Sequence, residues 1–170
     1  GSCQWMTAGS GILHQEMPQA TPRLLGVQLW INLPRQDKMT TPQYRDLLPT
    51  QIPQVQGEGS TTRVVAGHYR GVQGATQGDY VRALLLDVGV QPGAEWRLEA
   101  DPQATLFVYL LAGEGRFGGA SEALGARHAA LFGPGEAFVA TATSEGLRFL
   151  LIAARPLGEP IAWAGPIVMN

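Results

Sequence analysis

Charge and cross-linking residues are both scarce in this sequence. Asp, Glu, Lys and Arg make up 15% of the 170 residues, with one cysteine and three histidines. The single cysteine, Cys3, excludes an intramolecular disulfide framework and fits a reducing compartment. A lone thiol beside the terminus reads as incidental, because a reactive thiolate needs an electropositive setting. Twelve basic residues against fourteen acidic ones give a net charge of −2, and the basic residues are scattered. Phosphate contacts need clustered Lys and Arg, so nothing here argues for direct nucleic-acid binding. No apolar run approaches the ~20 residues of a membrane helix. No charged segment followed by an apolar core marks a signal peptide. The expectation is a cytoplasmic protein without a membrane partner. Gly1-Ser2 reads as a scar of tag removal, with the native start at Cys3 or further upstream.

What the chain does have is 45% hydrophobic residues, 22 glycines and 12 prolines. That suits a turn-rich β protein, of one domain or two small ones, with a real core. Residues 4–32 read as two or three strands. Leu25, Val27, Leu29 and Ile31 alternate as on a half-buried strand, and Gly9 and Gly11 mark a tight turn around Ser10. Residues 34–60 turn polar and proline-rich and read as a linker, with a short helix over 42–48 behind a Thr cap and Pro42. Strands are then expected at 62–66, 80–90, 94–100, 105–112, 126–133, 136–143 and 147–154. Gly-rich turns separate them, including Gly113-Glu114-Gly115, and residues 105–112 read as a strand buried on both faces. This spacing argues for a sandwich or barrel. Residues from 155 onward form a tail.

The stretch that organises the rest is Gln4 to Pro18. It places His14 and Glu16 two residues apart on an expected strand, so both side chains leave on one face. An imidazole and a carboxylate on one face are half of a first-row transition-metal site. No His-x-His occurs anywhere in the chain. His68 and His128 read as surface or turn residues, because no carboxylate or cysteine stands near them at ligand spacing. Glu95 and Glu99 read as solvated carboxylates. Trp5, Trp30, Trp96 and Trp163 read first as packing residues, with Trp30 also placed to line the mouth of a pocket.

The run Trp5-Met6-Thr7-Ala8-Gly9-Ser10-Gly11-Ile12-Leu13-His14-Gln15-Glu16-Met17-Pro18, with Gly26-Val27-Gln28-Leu29-Trp30-Ile31-Asn32-Leu33, Lys38-Met39 and Pro42-Gln43-Tyr44, closely resembles the pirin family. Glu159-Pro160-Ile161-Ala162-Trp163 and Gly165-Pro166-Ile167-Val168-Met169-Asn170 resemble the family's C-terminal signature. The resemblance implies an all-β bicupin, two β-barrels in tandem with one metal, usually iron, in the N-terminal barrel. It implies that His14 and Glu16 ligate that metal together with a His-Pro-His-type motif on an earlier strand, and that the C-terminal barrel is metal-free. It also implies that the tail packs back across the N-terminal part.

The expected architecture is therefore a partial N-terminal cupin barrel over residues 3–33, a linker over 34–60, a complete C-terminal barrel over 61–155 and a tail over 156–170. The chain reads as a pirin without the start of its first barrel and short at its C-terminus. Two functions follow. One is a non-catalytic or weakly active module that self-associates by strand pairing as a dimer, with no cofactor and metal ligands His14 and Glu16 only. The other is an Fe(II)-dependent dioxygenase of the quercetin 2,3-dioxygenase type. Its missing ligands would come from upstream sequence or another chain, and a small aromatic molecule would be its ligand.

Overall fold

The computed structural model describes every residue except Pro18, Gln19, Arg23, Pro166 and Asn170. Those positions, which include the prolines and the terminal asparagine of the two signature blocks, lie outside the described residues. In chain order the strands are β1 (Cys3–Thr7), β2 (Gln43–Leu47), β3 (Gln54–Gly57), β4 (Ser60–Ala66), β5 (His68–Tyr69), β6 (Val72–Gln73) and β7 (Leu84–Val90). They continue with β8 (Glu95–Glu99), β9 (Thr105–Phe117), β10 (Leu124–Gly125), β11 (Ala129–Phe132), β12 (Ala137–Ala154), β13 (Ala162–Ala164) and β14 (Ile167–Met169). Helical structure among the described residues is confined to single 3-10 turns at Arg35–Asp37 and Pro49–Gln51. The chain divides into two compact units, Gly1–Cys3 with Leu47–Pro156, and Gln4–Asp46 with Leu157–Asn170.

The larger unit is built on an antiparallel sheet in the order β10-β9-β12-β7-β4-β3, with β11 also on β9 and β8 also on β12. Two long strands change partners along their length. The first part of β12 lies against β8 and the far end of β9, and its last part, Leu147 to Ala153, lies between β7 and the start of β9. The Gly-rich segments expected as turns at 113–115 and 144–146 instead lie inside β9 and β12, at a shift in their register. Gly113 and Gly146 both have φ of +70°, and a Cβ on Gly113 would lie 2.1 Å from the Gly146 carbonyl oxygen. Glycine here supplies a positive φ and a close backbone approach, which bends a strand without reversing it.

Alternation sorts the side chains. In β8, Trp96 and Leu98 point into the core while Glu95, Arg97 and Glu99 face solvent. β9 was expected to be buried on both faces and instead alternates: Leu106, Val108 and Leu110 are buried, whereas Phe107 and Tyr109 are half-buried. The core is aromatic. Trp96 stacks on Tyr69 at 5.6 Å and meets Phe149 edge-on at 5.7 Å, while Phe138 meets Phe132 edge-on at 5.0 Å. The buried Trp96 indole donates to Thr62 Oγ1 at 2.9 Å, which satisfies a donor that water cannot reach. On the other face of the sheet, buried Asp87 accepts both Arg148 Nε at 2.9 Å and a terminal Arg148 nitrogen at 2.8 Å. Arg63 stands 3.5 Å away. Gly89 is the residue opposite Arg148 in the β7–β12 register.

Two further expectations are corrected. The helix expected over 42–48 is not formed and Gln43–Leu47 is strand β2 instead, because Pro42 and Pro49 confine the segment to a length at which an isolated helix is marginal. The end of the expected linker is a true strand, β3, hydrogen-bonded to β4 from Gln54↔Arg63 to Gly57↔Ser60.

In the smaller unit β1 pairs with β2. The expected turn at Gly9-Ser10 is present, with Ser10 N donating to Thr40 O and Gly11 N to Ala8 O, each at 2.9 Å. Lys38 Nζ donates to Asn32 Oδ1. Glu159 Oε2 accepts the backbone N–H of Arg35 at 2.8 Å, and β13 and β14 form a hairpin. The alternating residues 24–31 belong to no strand, so the expected half-buried strand is not formed. Leu24, Leu25, Val27, Trp30 and Ile31 are exposed, at 66, 54, 41, 68 and 38%. Apolar alternation selects which side chains share a face, but a strand also needs a hydrogen-bonding neighbour.

Two measurements check this account. Replacing Gly113 with Ala forces a Cβ onto the Gly146 carbonyl at a positive φ, and denaturant unfolding should show a loss of about 2 kcal/mol or more. Replacing Thr62 with Val keeps the shape and strands the Trp96 indole, so the loss should be about 1–3 kcal/mol. An unchanged Thr62→Val midpoint would mean the bond does not hold the core.

Candidate metal centre

His14 and Glu16 lie within residues 11–17, which form neither strand nor helix, so the strand expected to carry them is absent. Both side chains are exposed. Glu16 is nevertheless held: its Oε1 accepts the Gln28 side-chain amide at 3.2 Å. Tyr44, on β2, stands close enough to feel it. Desolvation and then the carboxylates of Asp46 and Glu16 push the Tyr44 phenol above its ordinary range, because each disfavours a phenolate.

The donor types fit a first-row divalent ion: one imidazole, and one carboxylate with an oriented oxygen. The donor number is two. Among the described residues no three His, Cys, Asp or Glu side chains come together to hold a metal ion. The other titratable candidates belong to the larger unit. His68 is exposed on β5, and His128 is exposed with its Nδ1 3.0 Å from the Gly125 carbonyl. Burial pushes the Cys3 thiol up, away from thiolate chemistry. Of the tryptophans, Trp96 is a core residue, but Trp30 and Trp163 are 68 and 76% exposed, so packing does not describe them.

Sequence reasoning missed Gln28 and Tyr44. Gln28 carries a faint signal, since it is the polar residue in the middle of an otherwise apolar alternation. Tyr44 carries none, because its proximity to Glu16 depends on how the chain folds back. A surface depression in the larger unit, lined by Ser60, Thr61, Gly89, Val90, Gln91 and Leu147, holds no ionisable side chain and offers no second centre.

Comparison with known proteins gives the family. The family model described as the pirin C-terminal cupin domain matches residues 85–170, and that described as pirin matches residues 1–31. Pirin-1 of Arabidopsis thaliana is 42% identical over 176 residues, covering all of this chain and 60% of that protein. Human pirin is 37% identical over 175 residues, covering all of this chain and 59% of its own length. The chain thus spans about 60% of the curated relatives it matches. Among solved structures, a Geobacillus kaustophilus protein superposes with a TM-score of 0.79 at 34% identity, covering 94% of this chain and 66% of that one. A quercetin 2,3-dioxygenase from Acinetobacter baumannii gives 0.81 at 29% identity, covering 100% and 61%. The bent antiparallel sheet around an aromatic core is accordingly a cupin-type β-barrel, and the chain belongs to the pirin family.

Proposed function

We propose that this chain acts as a self-associating cupin module, non-catalytic or weakly active on its own, that carries half of a metal centre. The observation behind this reading is the uncovered run at residues 24–33, Leu-Leu-Gly-Val-Gln-Leu-Trp-Ile-Asn-Leu, which contains no charge and no proline. Five of its large apolar side chains are exposed. Such a run seeks strand partners. Two copies paired antiparallel about Gln28 place Leu25 opposite Ile31 and Val27 opposite Leu29. All four alternating residues of both chains then share one face. No charge repels across the pair.

A second reading is favoured by the A. baumannii quercetin 2,3-dioxygenase, which is similar over the whole of this chain. In that reading Fe(II) is held by His14, Glu16 and further donors from another segment or chain, and a small aromatic substrate binds beside it. The facial arrangement that leaves positions open for oxygen chemistry uses two imidazoles and one carboxylate, so at least one imidazole must be supplied. Bound there, the metal would supply Lewis acidity and access to O2. Of this chain's own residues, His14 and Glu16 would ligate it, and Trp30 is exposed near them in sequence to meet an aromatic ring.

Sedimentation at tens of micromolar should show a dimer that Val27→Lys converts to monomer, and a monomeric parent would overturn the module reading. Elemental mass spectrometry separates the two. Metal well below one equivalent per chain supports the half-centre. Near one equivalent, with flavonol turnover lost in His14→Ala, supports the dioxygenase.

A further inference from the structure

Strands β5 and β6 form a two-stranded sheet of their own, paired at His68↔Gln73 and Tyr69↔Val72 and separate from the barrel sheet. A hairpin of that size is marginal by itself in water, so this one depends on what it rests against. His68, Arg70, Gly71 and Gln73 are exposed. Tyr69 is 4% exposed, and half-buried Val72 across from it also packs on the core. Glycine stands at both ends of the hairpin: Gly67, at φ +83°, accepts the Gly74 N–H at 2.8 Å. At the tip, Arg70 and Gly71 have φ of +47° and +77°. Asn-Gly or Gly-Gly meets that demand easily, whereas an arginine there is strained. The guanidinium of Arg70 stands over the Tyr69 ring, 5.3 Å from its centroid. The same ring stacks on the Trp96 indole at 5.6 Å with 22° between planes, while Phe138 and Phe149 meet that indole edge-on.

We propose that residues 68–73 are a lid on the barrel interior. The lid opens at Gly67 and Gly74 without unfolding of the barrel, and the Trp96 face that Tyr69 leaves then takes one ring of a phenolic ligand. The attachment of the hairpin is what permits this. Two side chains, Tyr69 and Val72, seat it on the core, whereas β4 beside it is held by a ladder to β7 from Ser60 to Ala66. The closed state also shows the chemistry of the site. Tyr69 is itself a phenol, so the slot it fills has the shape of one aromatic ring, with an indole to stack on and a cation at hand. A ligand has to compete with Tyr69, so its apparent affinity falls by the fraction of lids that are open. No metal enters the argument, which is independent of His14 and Glu16.

Two measurements on the full chain test it. The first is hydrogen exchange at increasing urea below the unfolding transition. The Trp96 indole N–H, bonded to Thr62 Oγ1 beneath the lid, reports lid opening, and the backbone N–H of fully buried Leu151 reports opening of the sheet. Trp96 should be about 10-fold or more less protected than Leu151, with little dependence on urea, because a small opening exposes little surface. Equal protection with the same urea slope would overturn the lid. The second is NMR titration with 4-methylphenol, the side chain of tyrosine freed from its backbone. The Trp96 indole signal, assigned by its loss in Trp96→Phe, should move in Tyr69→Ala, and in the parent chain at about 10-fold or more higher concentration. A Trp96 signal unmoved in both proteins overturns the site, and the parent titration decides it if Tyr69→Ala does not fold.

Discussion

The close approach of Gly113 and Gly146 is the constraint on which the larger unit depends. Strands β9 and β12 have to remain paired while each changes its other neighbour, and that requires both to bend at one level. A side chain at either glycine would meet backbone: a Cβ on Gly113 falls 2.1 Å from Gly146 O, and one on Gly146 falls 3.3 Å from Val90 O. With the bend in place, the beginning of β12 and all of β8 turn over the sheet formed by β7 and β4. That brings Trp96 and Phe138 against Phe149 and closes the barrel on aromatic rings. The polar devices follow the same geometry. Thr62 on β4 receives the Trp96 indole from β8 only because the bend brings these two strands face to face.

How the interior is filled bears on what the barrel can do. Trp96, Phe149, Leu86, Leu110 and Leu151 are almost completely buried, and ring centroids 5.0–6.2 Å apart leave the centre occupied by side chains rather than by a ligand. On the other face of the sheet Asp87 joins Arg148 from the neighbouring strand and stands close to Arg63. Asp87 is buried while the Arg148 side chain is 46% exposed, so removing Arg148 would leave a buried carboxylate with Arg63 3.5 Å away as its remaining cation. The role of this cluster is therefore to fix the register of β4, β7 and β12, not to present a reactive group.

The sequence was legible where a pattern has one structural meaning. Glu95-Trp96-Arg97-Leu98-Glu99 alternates, and it is a strand with Trp96 and Leu98 inside. Gly9-Ser10 is a turn, sealed by Thr40. It was illegible where a residue type has two uses or where a partner had to be known. Glycine makes turns and bulges alike, so Gly113 and the 144–146 segment suggest chain reversals by composition although they bend continuous strands. The apolar alternation at 25–31 names a face and is silent about the neighbour that would make it a strand. His14 and Glu16 are a metal-donor pair by residue type only, and it is the resemblance to pirins that implies a ligand role for them. The restraint on Glu16 comes from Gln28, twelve positions away, and no local pattern announces a contact of that range.

The exposed run at 24–33 also limits the partner that can cover it. Burying a Leu, Val or Ile side chain fully is worth about 1.5–3 kcal/mol, and here each is already partly covered, so each yields only a fraction of that. Against this stands the ordering of backbone into a strand, about 1–2 kcal/mol per residue. Two copies of the run pairing with each other would have to order both segments, so the apolar gain would be offset twice. A strand already held in a sheet has met that cost beforehand, and only the 24–33 segment remains to be ordered. The same strand, if it carried an imidazole near His14 and Glu16, would add metal-ligand bonds to the apolar contacts and make coverage of the run and completion of the centre one event.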